Sequence, residues 1–193
     1  MKYYTAKGDT GTTKLLCVQK GERISKGDDV FETLGGLDEL NSHLGLCSAV
    51  AERASFPGIT AELRAKFIGE IGVIQQDLFM IQAELAGSEV TLPPEKLKRI
   101  EEDIEYFAGV FPQISSFVLP GKTELAALLD VARTIARRVE RGYIRQTQSN
   151  DIATISPTTN IGAYLNRLSS VLYVLARFAV HAQGEREEVP TYQ

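Results

Sequence analysis

Apolar side chains recur at helical spacing along almost the whole chain after residue 29. Positions i, i+3, i+4 and i+7 share one face of a helix, so this pattern predicts helices that each bury one side. We therefore predict an all-α protein of five helices, built on an antiparallel four-helix bundle with one accessory helix. The predicted helices cover about Val30–Ala54, Thr60–Ala86, Glu95–Val110, Thr123–Arg141 and Asn160–Ala182.

The first 29 residues differ from the rest because they show no helical period. They are rich in glycine, lysine, threonine and serine, which predicts a loop or short extended segments. The centre of this region, residues 5–13, reads TAKGDTGTT. Glycines allow backbone N–H groups to approach an anion, and hydroxyl groups add further donors. From these residues alone, an anion-binding loop and a flexible arm both remain open interpretations.

A chain of 193 residues with 44% apolar and 24% charged residues predicts one soluble domain. We divide it into an N-terminal loop (1–29), a helical body (30–182) and a mobile acidic tail (183–193). The last two helices are joined by a polar connection over about 147–159, which is longer than most such links.

Composition also excludes several classes of function. The net charge of −4 argues against a general nucleic-acid-binding protein, and no apolar run is long enough to predict a membrane span. Cys17 and Cys47 are too few for a disulfide framework or a zinc site, so we expect reduced, structural thiols. The first residues, MKYYTAKGD, contain no apolar leader. These observations predict a cytoplasmic protein.

The fourth predicted helix carries a row of arginines. Thr123 is its predicted N-cap, and Arg133, Arg137 and Arg141 recur every four residues along one face, together with Glu140. An array of guanidinium groups suits a polyphosphate, because each can bind two oxygen atoms. A solvated charged stripe is the alternative interpretation. Arg145, which lies beyond this block, is expected to tolerate alanine.

The first predicted helix carries a polar stripe opposite its apolar face, and a pair of glycines. Gly35 and Gly36 lower helix stability by roughly 1 kcal/mol each, which predicts the close approach of another backbone or a ligand. The stripe predicts close packing against a polar partner. Its members are Asp38, Asn41, Ser42 and Gly45.

Two single residues are also candidates for function. Phe117 precedes the arginine helix and is either a core residue or part of a pocket at the helix entrance. Asn166 lies near the middle of the last helix, in surroundings that appear buried from the sequence. A buried amide must find partners, so Asn166 either caps a neighbouring group or binds a ligand.

Four segments in order together resemble the PduO-type ATP:cob(I)alamin adenosyltransferase family, and they cover most of the chain. The segments are TAKGDTGTTKL with GERISKGDD; ETLGGLDELNSHLG; FVLPG followed by ARTIARRVER; and YLNRLSSVLYVLARFA. The resemblance implies a single domain that forms an all-α homotrimer with ATP bound between subunits. It also implies transfer of the 5′-deoxyadenosyl group of ATP to the cobalt of cob(I)alamin, with release of triphosphate.

The resemblance further implies roles for particular residues. Asp38 would pair with Arg133 across the subunit boundary, and Phe117 would lie beneath the corrin and displace the lower axial ligand of cobalt. Arg133, Arg137 and Phe117 would be the catalytic residues. Mg²⁺ would be held mainly by the phosphates of ATP. The ATP site would comprise Thr5, Ala6, Lys7, Gly8, Thr13, Lys26, Arg137, Arg138, Glu140, Arg141 and Asn166.

The chain departs from the family pattern at three positions. The family usually has arginine and threonine where this chain has Ala6 and Lys7, and commonly has histidine where this chain has Asp130. A reductase and an adenosylcobalamin-dependent enzyme are the implied partners. The competing interpretation is a non-catalytic helical bundle that binds a nucleotide or another protein. It explains the helices, but not the glycine-threonine loop and the arginine face together.

Overall fold

The computed structural model describes residues 2–16, 18, 21–148 and 159–192. The predicted all-α fold with five helices is confirmed, and most helix ends lie within two residues of the predicted ones. The fourth helix is the exception, because it continues seven residues past Arg141. The helices are α1 (Asp29–Arg53), α2 (Ala61–Leu85), α3 (Pro94–Ala108), α4 (Glu124–Gln148) and α5 (Thr159–Ala182). Most of the predicted connection over 147–159 lies outside the described residues, as does Cys17.

Local sequence signals account for where several helices begin. The Thr123 hydroxyl accepts a hydrogen bond from the Ala126 amide at 3.2 Å, so the predicted N-cap of α4 is confirmed. Thr60 caps α2 in the same way, by accepting from the Leu63 amide at 3.2 Å. Pro94 lies in the first turn of α3, where the missing N–H is tolerated.

The apolar faces of the helices meet in one core. Helix α4 packs against α1 and α5, α1 packs against α2, and α3 packs against α5. The antiparallel four-helix bundle with one accessory helix stays a prediction at this level of detail. Among the described residues, no helix is long and apolar enough to cross a membrane. Cys47 is buried in the core, and burial raises the pKa of its thiol to about 12, as expected for a structural cysteine.

Helices α1 and α4 approach each other closely at the glycine pair. A Cβ atom on Gly36 would lie 2.9 Å from Cγ2 of Val139, whereas Gly35 faces open space. A close approach therefore occurs at Gly36, but a side chain of α4 makes it, not the backbone or ligand that the sequence predicted. At the polar stripe of α1, the backbone carbonyl of Asn41 accepts from Nε2 of Gln75 at 3.0 Å, whereas the buried Oδ1 of the Asn41 side chain has no hydrogen-bond partner among the described residues.

Helix α3 is fastened to α2 by a cluster of charged residues. Nη1 of Arg99 donates to both Glu70 oxygens at 2.7 and 2.9 Å and to Asp103 at 2.8 Å. Nη2 of Arg99 donates to Asp77 at 2.7 Å, and Asp77 also accepts from the hydroxyl of Tyr164 at 2.8 Å. The sequence predicts mostly solvated charge on α3. That prediction is wrong at Arg99 and Asp103, because carboxylates on α2 pair with Arg99, and Asp103 is buried beside Arg99 and Lys66 of α2.

Candidate active site

A cavity of about 500 Å³ lies on the exposed face of α4, beside α5. Three arginines at four-residue intervals, Arg137, Arg141 and Arg145, line it, and none has a hydrogen bond or ion pair to another described residue. On the α5 side, Nδ2 of Asn166 donates to Oε1 of Glu140 at 2.8 Å. We call this cavity the arginine pocket; it is lined by Arg137, Glu140, Arg141, Ile144, Arg145 and Asn166.

The arginine pocket corrects two expectations. Asn166 is exposed, not buried, because the apolar period of α5 is interrupted where the pocket opens. Its Oδ1 accepts a hydrogen bond from Nη1 of Arg167 at 2.7 Å. Arg145 lines the pocket, since α4 remains helical to Gln148 and adds one more four-residue step to the row. It is therefore part of the candidate site.

Arg138 and Arg133 do not line the arginine pocket, although each lines a neighbouring cavity that shares one arginine with it. Arg138 forms an ion pair with Glu39 of α1 and lines a separate cavity of about 280 Å³. Nε of Arg133 donates to Oδ1 of Asp130 at 3.0 Å. Asp38 is exposed and has no ion pair or hydrogen bond to another described residue. Within one chain, Asp38 and Arg133 therefore do not pair, and their intersubunit contact stays a prediction.

The N-terminal loop is organised by a short antiparallel ladder. Strand β1 (Thr12–Thr13) pairs with β2 (Ile24–Ser25), so short extended segments are confirmed there. Nη2 of Arg23 donates to the carbonyl oxygens of Lys7 and Thr12 at 2.7 and 2.6 Å, and its Nε donates to the Thr12 hydroxyl at 2.8 Å. Arg23 thus fastens the loop. This role could not be predicted from the sequence, because Arg23 is one basic residue among several in a loop.

Several predicted ATP-site residues come together in this loop. The Lys26 ammonium group lies over Gly8, so that a Cβ atom on Gly8 would be 3.0 Å from Nζ. The Lys7 amide donates to the Thr5 hydroxyl at 3.4 Å, and Ala6 has a left-handed backbone with φ of 58°. No described residue of the loop lines the arginine pocket. Within one chain, the residues predicted for the ATP site therefore form two separate groups, and their joint role in ATP binding stays a prediction.

The segment between α3 and α4 exposes Phe117. Its side chain is 81% exposed, so the interpretation of Phe117 as a core residue is wrong for the single chain. The same segment forms one wall of a cavity of about 420 Å³, whose other walls are the end of α5 and the tail. Segment residues that line it are Phe111, Pro112, Gln113 and Ile114.

The acidic tail contacts this segment and α5. The Leu119 amide donates to the carbonyl of Glu188 at 2.7 Å, and Lys122 lies 3.8 Å from the carboxylate of Glu185. Nη1 of Arg177 donates to Oε2 of Glu187 at 3.0 Å. The sequence predicts a mobile tail, whereas these contacts hold it against the bundle as far as Glu188.

The sequence profile of the cobalamin adenosyltransferase family matches residues 3–179. The chain belongs to this family. Corrinoid adenosyltransferase PduO of Citrobacter freundii is 35% identical over 188 residues, which cover 94% of this chain and 50% of that protein. The corrinoid adenosyltransferase of Bacillus subtilis is 36% identical over 184 residues, covering 92% of this chain and 86% of that protein. The chain thus spans about half the length of the PduO relative.

Solved structures of the family have the same fold. One is a variant of the PduO-type ATP:corrinoid adenosyltransferase from Lactobacillus reuteri, complexed with cobalamin and ATP. It superposes with a TM-score of 0.83 at 28% identity, over 99% of this chain and 97% of that chain. The family resemblance inferred from the four sequence segments is therefore confirmed.

Proposed function

We propose that this protein transfers the 5′-deoxyadenosyl group of ATP to the cobalt of cob(I)alamin, giving adenosylcobalamin and triphosphate. The observation that supports this most directly is the arginine pocket. Its three guanidinium groups have no carboxylate partner among the described residues, and its one carboxylate, on Glu140, is held by Asn166. Unpaired guanidinium groups in a row provide the charge and the paired donors that a triphosphate requires.

In this reaction the protein must align the two substrates and stabilise the charge on the departing triphosphate. Co(I) of the corrinoid substrate attacks C5′ of ATP with its own electron pair, a Co–C bond forms, and the C5′–O bond breaks. The bonding electrons leave with the triphosphate oxygen, so no side chain must attack or accept a proton. Arg137, Arg141 and Arg145 would stabilise the charge that develops on this oxygen and on the phosphates. Among the described residues no cluster of three metal-ligating side chains occurs, so we assign Mg²⁺ to the phosphates of ATP.

We further propose that the two halves of the ATP site meet between subunits of a homotrimer. The N-terminal loop would supply Lys26 and the backbone around Gly8, and the next subunit would supply the arginine pocket. This arrangement is supported by the absence of loop residues from the pocket within one chain. The exposed and unpaired Asp38 would then be available to Arg133 of the neighbouring subunit.

The proposed corrinoid site lies at the segment between α3 and α4. An exposed Phe117 can cover the lower face of a corrin and displace its axial ligand, which favours four-coordinate Co(II) and eases its reduction to Co(I). A reductase would deliver that electron, and an adenosylcobalamin-dependent enzyme would use the product. We place this chemistry in the cytoplasm.

An anaerobic assay with chemically prepared Co(I) corrinoid and MgATP tests the reaction. Formation of adenosylcobalamin and triphosphate is expected, and it should be lost in both Lys26→Ala and Arg137→Ala. A non-catalytic nucleotide-binding bundle would bind MgATP without any change in the corrinoid spectrum.

Mixing the two inactive variants tests whether the site is shared. Random exchange of subunits should restore about a quarter of the sites, because one chain supplies an intact loop and its neighbour an intact pocket. No recovery after demonstrated subunit exchange would show that each site is built from a single chain.

A further inference from the structure

The segment that carries Phe117 depends on the tail for its polar contacts. Among the described residues, 111–122 makes only two polar contacts outside itself. They are the bond from the Leu119 amide to the Glu188 carbonyl at 2.7 Å and the ion pair of Lys122 with Glu185 at 3.8 Å. Both partners belong to the tail. The position of Phe117, two residues before Leu119, is therefore set by the position of the tail.

The start of the tail is fixed by the end of α5. Gly184 adopts a left-handed backbone with φ of 77°, and its amide donates to the His181 carbonyl at 2.9 Å. The Glu185 amide donates to the Val180 carbonyl at 3.0 Å. This pair of bonds is a common helix ending that reverses the chain direction. It directs the tail back along the bundle towards the Phe117 segment.

Farther along, the tail is anchored by a buried arginine. Arg177 is 2% exposed, and it donates to Oε2 of Glu187 at 3.0 Å and to a carboxylate oxygen of Asp130 on α4. The other oxygen of Asp130 accepts from Nε of Arg133 at 3.0 Å. Hydrogen bonds between buried ionised groups are stronger than those between neutral groups. Glu187 is thus the strongest polar attachment of the tail, one residue before the carbonyl that holds Leu119.

We propose that Glu187 is a positioning residue for Phe117: its ion pair with Arg177 holds the tail, and the tail holds the Phe117 segment over the corrinoid site. This inference rests on the proposed function of Phe117. Without the ion pair, the tail beyond the helix ending at Gly184 and Glu185 would keep only the exposed contact at 3.8 Å and a single backbone hydrogen bond, and exposed ion pairs contribute little. Arg177 also pairs with Asp130, and Asp130 pairs with Arg133, so these contacts connect Glu187 to a residue next to the arginine pocket.

The test compares Glu187→Gln with Glu188→Gln. The first removes the charge that pairs with Arg177, and the second alters a neighbouring exposed side chain but keeps the backbone carbonyl that binds Leu119. Adenosylation is measured from Co(II) with a reductant and from chemically prepared Co(I). Glu187→Gln should lower the Co(II) rate about tenfold, as for loss of a charge-assisted hydrogen bond, and the Co(I) rate less than about twofold. Glu188→Gln should keep the wild-type ratio of the two rates.

Phe117→Ala and the double variant Phe117→Ala/Glu187→Gln complete the experiment. If Glu187 acts through Phe117, the double variant should lose no more of the Co(II) rate than Phe117→Ala alone. Equal losses from Co(II) and Co(I) in Glu187→Gln, or an additive double variant, would overturn the inference. A drop in melting temperature with an unchanged ratio of rates would show a merely structural role. If Phe117→Ala itself leaves the ratio unchanged, the proposed function of Phe117 fails, and the inference fails with it.

Discussion

Two groups of arginines in this protein have opposite surroundings. Arg99 and Arg177 are largely withdrawn from solvent, and each donates to two or more carboxylates. The three arginines of the arginine pocket are exposed and have no carboxylate partner among the described residues. A guanidinium whose donors are already used by the protein supports the fold, whereas one with open donors can bind a ligand. Occupancy of the donors, and not the residue type, separates the two roles.

The largest effect should come from a substitution in the carboxylate-paired group, Arg99 and Arg177. Arg99→Ala leaves the buried carboxylates of Glu70 and Asp77 without their main partner, so the free energy of unfolding should fall by about 3–5 kcal/mol. Urea unfolding measures it, with Lys98→Ala on the same helix as the control. The ion pair of Lys98 with Glu102 is exposed, so its loss should cost less than about 1 kcal/mol. Equal losses of unfolding free energy in Arg99→Ala and Lys98→Ala would contradict the distinction between the two groups of arginines.

The pH dependence of stability tests the same cluster. Burial raises the pKa of Glu70 from 4.5 to about 7, although Arg99 acts in the opposite direction. The folded protein therefore holds this proton more tightly than the unfolded chain does. The stability from this group is fully present below pH 4.5 and is lost as the pH rises to about 7.

Comparison with Glu70→Gln isolates this contribution. The free energy of unfolding of the wild type minus that of the variant should decrease by at most about 3 kcal/mol across this pH range. Unfolding curves at several pH values measure the difference. A difference that increases with pH would mean that Arg99, and not burial, dominates the titration of Glu70.

Substitutions of the three arginines in the arginine pocket should leave the stability of the fold unchanged but lower kcat/KM for ATP. Arg137→Lys keeps the charge but replaces two parallel donors with a single ammonium group, so kcat/KM for ATP should fall about tenfold. The melting temperature should stay at the wild-type value, because Arg137 has no partner among the described residues. Arg64→Lys, on α2, serves as the control. Unchanged kinetics in Arg137→Lys would support the alternative interpretation, in which the arginine face of α4 is a solvated charged stripe.

The smallest expected effect tests whether Arg145 belongs to the same phosphate site as Arg137 and Arg141. Arg145 lies at the end of the row, so Arg145→Ala should raise the KM for ATP about three- to fivefold, equivalent to somewhat less than 1 kcal/mol. The sequence alone predicts that this substitution is tolerated. Binding of tripolyphosphate, measured by calorimetry, should weaken by a similar factor. Wild-type affinity would confine the phosphate site to Arg137 and Arg141.

The row of arginines on α4 could be predicted from the sequence because helical spacing alone places Arg137 and Arg141 on one face. The role of Arg99 could not. Its partners Glu70 and Asp77 lie on another helix, and which faces of α2 and α3 meet depends on tertiary packing. Arg145 was missed for a simpler reason, since the helix was expected to end with the block at Arg141.

Single residues outside a periodic pattern were harder to place. Asn166 stands among core residues of α5 such as Tyr164, Leu165 and Leu168, which are buried, whereas Asn166 itself is exposed and lines the pocket. Phe117 has apolar neighbours and is nevertheless exposed, because the tail covers the segment from one side only. Arg23 fastens the loop through backbone carbonyls, and such bonds leave no signature in side-chain patterns.

The open donors of the arginine pocket also bear on turnover. When the C5′–O bond breaks, the departing triphosphate gains a negative charge that ATP did not carry at that oxygen. In the proposed reaction, the three unpaired guanidinium groups would hold the more highly charged anion more tightly than the phosphates of the substrate. The departure of triphosphate would then be the slow event in each cycle. The rate of adenosylcobalamin formation would be limited by how quickly the arginines exchange this anion for solvent and salt ions.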